Sequence, residues 1–154
     1  MTYPVTLVES LALIAQRQPQ DQVAGEVTGP DMMFGRDGTL DTPINQAFVV
    51  VHLGVAGGTI TVKLEQATTD GFSDTKIITG SDGVDKSIEL DGANEQAIIN
   101  LKAEELDSAN GFKYWRFRVA STGTNSTYGV LVFGGDSRYG PTSDYDLSTL
   151  TVLK

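Results

Sequence analysis

The sequence contains no cysteine, a single histidine and a single tryptophan. The absence of cysteine excludes disulfide bonds, thiolate metal ligands and a cysteine nucleophile. With one histidine, a zinc site or a Ser-His-Asp triad would have to be built on His52 alone. His52 lies in the apolar run FVVVHL, and this setting favours a residue of the core or of a sheet edge over a ligand or a base.

Basic residues are also scarce, with 11 Lys and Arg against 20 Asp and Glu and a net charge of −9. A protein that binds nucleic acid normally presents a basic face, so we expect no direct binding to nucleic acid or to an anionic membrane. The apolar runs are too short to span a bilayer, and the N-terminus lacks the basic segment of a signal peptide.

Catalytic motifs are missing as well. The chain has neither a G-x-S-x-G nucleophile elbow nor a phosphate-binding loop. Its loop aspartates do not follow the EF-hand spacing, and solvated turn residues explain them better than a calcium site does. We therefore expect no enzyme, no cofactor and no metal.

The segments that are present alternate like strands. In Thr59–Gln66 and Tyr114–Ala120, apolar and polar residues alternate, which is typical of half-buried strands. Short runs of this kind are separated by glycine-rich turns about 8–12 residues apart. The pattern predicts an all-β fold, an antiparallel β-sandwich or jelly roll. The strand pair within Phe112–Gly135 is predicted to form a central hairpin, and the strands Phe48–Leu53 and Thr59–Gln66 a second one.

The first 46 residues look different. The spacing of Leu7, Leu11 and Ile14 predicts a short amphipathic helix over Val5–Gln16. The segment that follows the helix has no sustained period and is rich in proline and glycine. We therefore predict a helix-containing extended arm over residues 1–46 and a sandwich domain over residues 47–154.

Two groups of residues are candidates for contact with a partner or with a second copy. Met32, Met33 and Phe34 form the one apolar cluster of the arm, and they either plug one end of the sandwich or anchor a partner. Tyr114, Arg116 and Arg118 share the polar side of their strand, which predicts either a contact patch or a solvated face with salt bridges. The full set of predicted contact residues is Leu7, Leu11, Ile14, Met32, Met33, Phe34, Tyr114, Arg116, Arg118 and Tyr139.

Three stretches carry a resemblance to a known class: TITVKLEQATTDGFSD, IINLKAEELDSANGFKYWRFRVAS and YGVLVFGGDSRYGPTSDYDLSTL. Together they resemble the auxiliary head proteins that decorate or cement the capsids of tailed bacteriophages. The resemblance covers roughly residue 48 to the C-terminus and includes no diagnostic motif. It implies a β-sandwich that trimerises on the outside of the shell and reaches its neighbours with an N-terminal arm.

On this resemblance we expect a non-enzymatic virion protein, made in the host cytoplasm and placed on the capsid exterior. It would bridge subunits of the major capsid protein, as a homotrimer. The alternative is a carbohydrate-binding or host-recognition sandwich of a phage tail or baseplate. That alternative requires an exposed aromatic platform formed by Trp115, or by Tyr139 and Tyr145.

Overall fold

The computed structural model describes residues 12–22, 24–34 and 45–135. Within these ranges the chain forms strands and two short 3-10 helices, at Ala103–Glu105 and Ser108–Asn110. The strands are β1 (Ala12–Gln22), β2 (Gly25–Thr28), β3 (Met32–Met33), β4 (Gln46–Val55), β5 (Ile60–Ala67), β6 (Lys76–Ile77), β7 (Ser87–Leu90), β8 (Gln96–Lys102), β9 (Tyr114–Ser121) and β10 (Ser126–Gly135).

The strands form two antiparallel sheets. Sheet A has the order β1-β10-β4-β8, and sheet B has the order β2-β9-β5-β6, with β3 paired to β9 and β7 paired to β5. If β2 with β3, and β6 with β7, are each counted as one broken strand, the two orders become 1-8-3-6 and 2-7-4-5. Strands that follow one another in the chain thus mostly lie in different sheets, which is the arrangement of an eight-stranded jelly roll. The predicted fold class is confirmed.

The core lies between the two sheets and follows from the alternation of the strands. Every second residue of β4, β8 and β9 is buried, since successive side chains of a strand point to opposite faces. The largest fully buried side chains are Trp115, Tyr128, Phe117, Leu53, Ile60, Leu64, Ile78, Leu101, Val49, Val51 and Val62.

Both predicted hairpins are wrong. β9 pairs with β5, β2 and β3 in sheet B, whereas β10 pairs with β1 and β4 in sheet A. In the same way, β4 belongs to sheet A and β5 to sheet B. The short turns after β4 and β9 therefore carry the chain from one sheet to the other. Alternation predicts where strands lie, but both layers of a sandwich need such strands, so it does not select their partners.

The helix predicted over Val5–Gln16 is wrong from residue 12 onward, because Ala12–Gln22 forms β1 and pairs with β10. The part of the predicted helix before residue 12 lies outside the described residues. In addition, β2 and β3 pair with β9, so the described part of residues 1–46 supplies strands to both sheets. Register shifts in β1 between Leu13 and Ala15, and between Arg17 and Gln20, explain why its sequence lacks a strand-like alternation.

Candidate interaction surfaces

The outer face of sheet B carries a network of charges centred on Glu65. The Glu65 side chain is only 3% exposed, and its two carboxylate oxygens accept hydrogen bonds from two arginines of β9. Arg118 donates to Oε1 at 2.9 Å, and Arg116 donates to Oε2 at 3.5 Å. The register explains this meeting, because Glu65 lies directly opposite Arg116 and Lys63 lies opposite Arg118.

Further carboxylates complete the network. Arg118 also bonds to Glu26 of β2, and Arg116 Nη1 lies 4.0 Å from Asp31 Oδ1. The hydrogen bonds from Arg118 to Glu26 and Glu65 raise the pKa of its guanidinium, and burial opposes them. Burial raises the pKa of Asp31 above its ordinary 3.8, and the nearby charge of Arg116 opposes that rise.

Phe72 covers the inner part of this network. The guanidinium carbon of Arg116 lies 4.0 Å from the centre of the Phe72 ring, at a cation–π distance. Phe72 is buried although it belongs to a loop, and its φ of 48° is one that non-glycine residues rarely adopt. The ring and the surrounding carboxylates hold Arg116 in place, so this arginine is positioned mainly by its own chain.

Arg116 and Arg118, which were predicted as contact residues, thus have acidic partners within the chain. Tyr114 lies on the same face, with the ammonium group of Lys113 5.3 Å from its ring centre. Three carboxylates surround two guanidinium groups, so the network attracts a further acidic group only weakly. A contact role for these three residues stays a prediction.

The middle of the outer face of sheet A is apolar, and none of its apolar residues belongs to the predicted contact set. Residues that lie opposite each other in an antiparallel sheet share a face. Phe133 of β10 lies opposite Phe48 of β4, and Leu131 lies opposite Val50. All four point away from the core and are half-buried.

The apolar face continues to both edges of sheet A. Ile98 of β8 lies opposite Val50, and at 66% exposure it is the most exposed large apolar side chain of the described residues. On the other side, Leu13 of β1 lies opposite Phe133 and is buried there. We call the residues Leu13, Phe48, Val50, Ile98, Leu131 and Phe133 the apolar outer face.

A signal for this face was present in the sequence. The runs FVVVHL and YGVLVF are apolar at consecutive positions, which is typical of buried, central strands. An antiparallel strand that is apolar on both sides needs cover on both sides. The two faces of β4 and β10 could therefore have been assigned to two different contacts, one with the core and one outside it.

The other predicted contact residues lie in the interior or outside the described ranges. Ile14, Met32 and Met33 are buried, and the Phe34 ring stacks on Trp115 with 5.2 Å between centroids. The apolar cluster of the predicted arm therefore packs in the sandwich, and a contact role for it stays a prediction. The predicted contact residues Leu7, Leu11 and Tyr139 lie outside the described residues.

Glu105 ties the loop after β8 to sheet B. Its carboxylate lies 2.8 Å from the ammonium group of Lys86 and accepts hydrogen bonds from the backbone N–H groups of Lys102 and Ser81. Burial alone would raise the pKa of Glu105, but Lys86 and these hydrogen bonds outweigh it and lower the pKa below its ordinary 4.5.

Replacing Glu105 with glutamine should therefore change the pH dependence of stability. Because the folded-state pKa is lowered, the carboxylate contributes stability above pH 4.5, and the contribution is lost as the pH falls through the folded-state value. We expect Glu105→Gln to lose about 1–2 kcal/mol at pH 7 and the difference from the unmodified chain to shrink below pH 4.5. Urea titrations at several pH values measure this. Glu104→Gln is the matched control, since Glu104 is 75% exposed; an equal loss in both variants would contradict the assignment.

The described residues contain no group of three or more His, Cys, Asp or Glu that could hold a metal ion. Among the same residues, no helix has the length and hydropathy needed to cross a membrane. His52 is exposed at the outer face of sheet A, where it lies opposite Gly129 and Gln96.

No protein-family model matches the chain, and no curated protein sequence matches it. Among solved structures, the cryo-EM atomic structure of broad bean stain virus is similar over 100% of this chain and 98% of that chain. The sequence identity is 13% and the TM-score is 0.45.

Proposed function

We propose that the chain is a non-enzymatic structural protein of a virion. In this proposal it decorates the outer surface of a tailed-phage capsid and bridges neighbouring subunits of the major capsid protein. Its bound form is a homotrimer.

The observation that carries the proposal is the apolar outer face of sheet A. Phe48, Val50, Leu131 and Phe133 are half-buried on the side of the sheet that faces away from the core, and Ile98 is largely exposed beside them. In a monomer the outer side of an antiparallel sheet is normally polar. A contiguous apolar surface of this kind marks a site of contact with another macromolecule.

Two further points support this function. The resemblance to phage auxiliary head proteins covers the stretches that form β5, β8, β9 and β10. The jelly roll is also a fold that viral capsid domains use, although a shared fold alone does not establish a shared function. The alternative sugar platform at Trp115 has no support, because Trp115 is fully buried.

The mechanism would be mechanical. A trimer presents three copies of the apolar outer face, and each copy buries surface on a different shell subunit. Because the three copies are linked, binding of one copy raises the effective concentration of the other two at the shell, and three modest contacts together give tight binding. The charged outer face of sheet B remains in water and helps to keep the particle soluble.

Binding to capsids tests the proposal. We expect the purified protein to co-sediment with capsids of a phage whose genome encodes it, and Val50→Lys to weaken binding at least about tenfold, because a lysine ammonium is costly to bury against an apolar surface. The matched control is Thr61→Lys, a half-buried position on the outer face of sheet B. Thermal unfolding of both variants separates binding from stability. Absence of binding by the unmodified protein, or equal weakening by both substitutions, would contradict the proposal.

A further inference from the structure

β8 is an edge strand of sheet A. One of its hydrogen-bonding edges pairs with β4, and the other has no partner strand within the described residues. The phase of its hydrogen bonds shows which groups face outward. Ala103 N–H donates to the carbonyl oxygen of Asn45, and Leu53 N–H donates to that of Glu95. Odd-numbered residues of β8 therefore bond to β4, and the N–H and C=O groups of Gln96, Ile98 and Asn100 point to the open side.

This edge lacks the features that usually prevent a strand from pairing with another chain. Its pairing with β4 runs from Gln96 to Lys102 without a register shift, so no bulge turns the edge away. The strand QAIINLK contains no proline, and its one charged residue, Lys102, stands at its end. The Lys102 N–H is already bonded to Glu105 Oε2 at 2.9 Å, and this marks where an added strand would stop. Exposed, regular and uncharged edges are templates for strand addition.

We propose that β8 of one copy pairs antiparallel with β8 of a second copy, with Ile98 opposite Ile98. In this register Gln96 lies opposite Asn100 on both sides of the two-fold axis. All of these residues have outward-pointing backbone groups, so each opposed pair exchanges two hydrogen bonds. The two exposed Ile98 side chains share the outer face of the joined sheet and cover each other.

The charge on the strand does not oppose this self-pairing. The same register places Lys102, the one charged residue of β8, opposite Asn94 of the other copy at both ends, so the two lysines do not face each other. A register shifted by two residues would oppose Ile98 to Asn100 and lose the apolar pair, and a shift by one would put side chains on opposite faces.

The pairing would extend the apolar outer face across the axis. Leu131, Val50 and Ile98 already form one row across sheet A. The second copy continues this row in an eight-stranded sheet. A two-fold contact at this edge leaves the remaining surfaces for a trimer, so it would link copies of neighbouring trimers. The pairing itself does not depend on the presence of a shell.

Disulfide trapping tests the register, because the chain has no cysteine of its own. Under oxidised glutathione we expect Ile98→Cys to form a covalent dimer, since opposed Cα atoms in such a pair lie about 5.5 Å apart. Asn100→Cys alone should not form one, because its two copies would lie about 13 Å apart along the strands. An equal mixture of Gln96→Cys and Asn100→Cys should form the mixed dimer.

The matched control is Val84→Cys, at a position that is 62% exposed and lies in the turn between β6 and β7 rather than on β8. We expect its dimer yield to be at least tenfold lower than that of Ile98→Cys. Equal yields at positions 84 and 98, a dimer of Asn100→Cys alone, or no dimer of Ile98→Cys would each overturn the proposal. Because no capsid is present in this experiment, its outcome is separate from that of the capsid-binding test.

Discussion

Replacing Trp115 with alanine should lower the free energy of unfolding by about 3–5 kcal/mol, the usual cost of deleting a large aromatic side chain from a core. Trp115 is fully buried on β9, pairs across the sheet with Met32 and Gln66, and stacks on Phe34 at an interplanar angle of 17°. The substitution removes the contacts of all three neighbours at once. Urea unfolding followed by circular dichroism measures the loss, since the variant has no tryptophan left to report by fluorescence.

Trp115→Phe is the matched control. Among the described residues, Trp115 Nε1 is buried without a hydrogen-bond partner, so phenylalanine removes an unsatisfied donor together with some volume. We expect it to cost less than half as much as alanine. If Trp115→Ala cost less than about 1 kcal/mol, Trp115 would not belong to the core, and the discarded sugar platform would have to be considered again.

Replacing Glu65 with alanine should cost about 2–3 kcal/mol. The carboxylate is almost fully buried and is the shared acceptor of Arg116 and Arg118, so its loss leaves two guanidinium groups against the sheet without their central partner. Removal of one member of a buried ion pair costs about 3–5 kcal/mol. We expect less here because Arg118 is 36% exposed and keeps its bond to Glu26.

Glu26→Ala serves as the control for Glu65→Ala, because the Glu26 side chain is 55% exposed and bonds to the same arginine. Its expected cost is below about 1 kcal/mol and should fall further in high salt, whereas the cost of Glu65→Ala should change little. Urea titrations of both variants at two ionic strengths provide the comparison. Equal costs with equal salt dependence would show that Glu65 is not the centre of the network.

Alternation in the sequence locates most strands of the sandwich. Residues 60–64 and Tyr114–Ser121 follow this pattern, because every second side chain is buried and those between them are partly exposed. Their partners were not recognisable. β9 is followed after a short loop by β10, which locally favours a hairpin, yet the two strands separate because each completes the inner face of a different sheet. That choice depends on the packing of the whole core, which no local pattern contains.

For the segment Ala12–Gln22, the sequence pattern predicted the wrong secondary structure. Ile14 fell on a helical spacing with Leu7 and Leu11, and a bulge between Leu13 and Ala15 disturbs the two-residue period of β1. Long-range pairing with β10 overrides a weak local preference for helix. The same limit applies to the candidate site, because the charges around Glu65 come from three strands that meet only in the folded sheet.

The position of β10 also governs how the chain can be made. β10 lies between β1 and β4, so the earliest and the latest described strands are direct neighbours in sheet A. During synthesis, β1 and β4 leave the ribosome long before β10, the strand that lies between them in the folded sheet. Sheet A therefore closes only after residue 135 has left the exit tunnel, and the closure spans nearly the whole described chain. We therefore expect slow folding. Until β10 has been synthesised, the apolar strand β4 remains exposed on both of its faces.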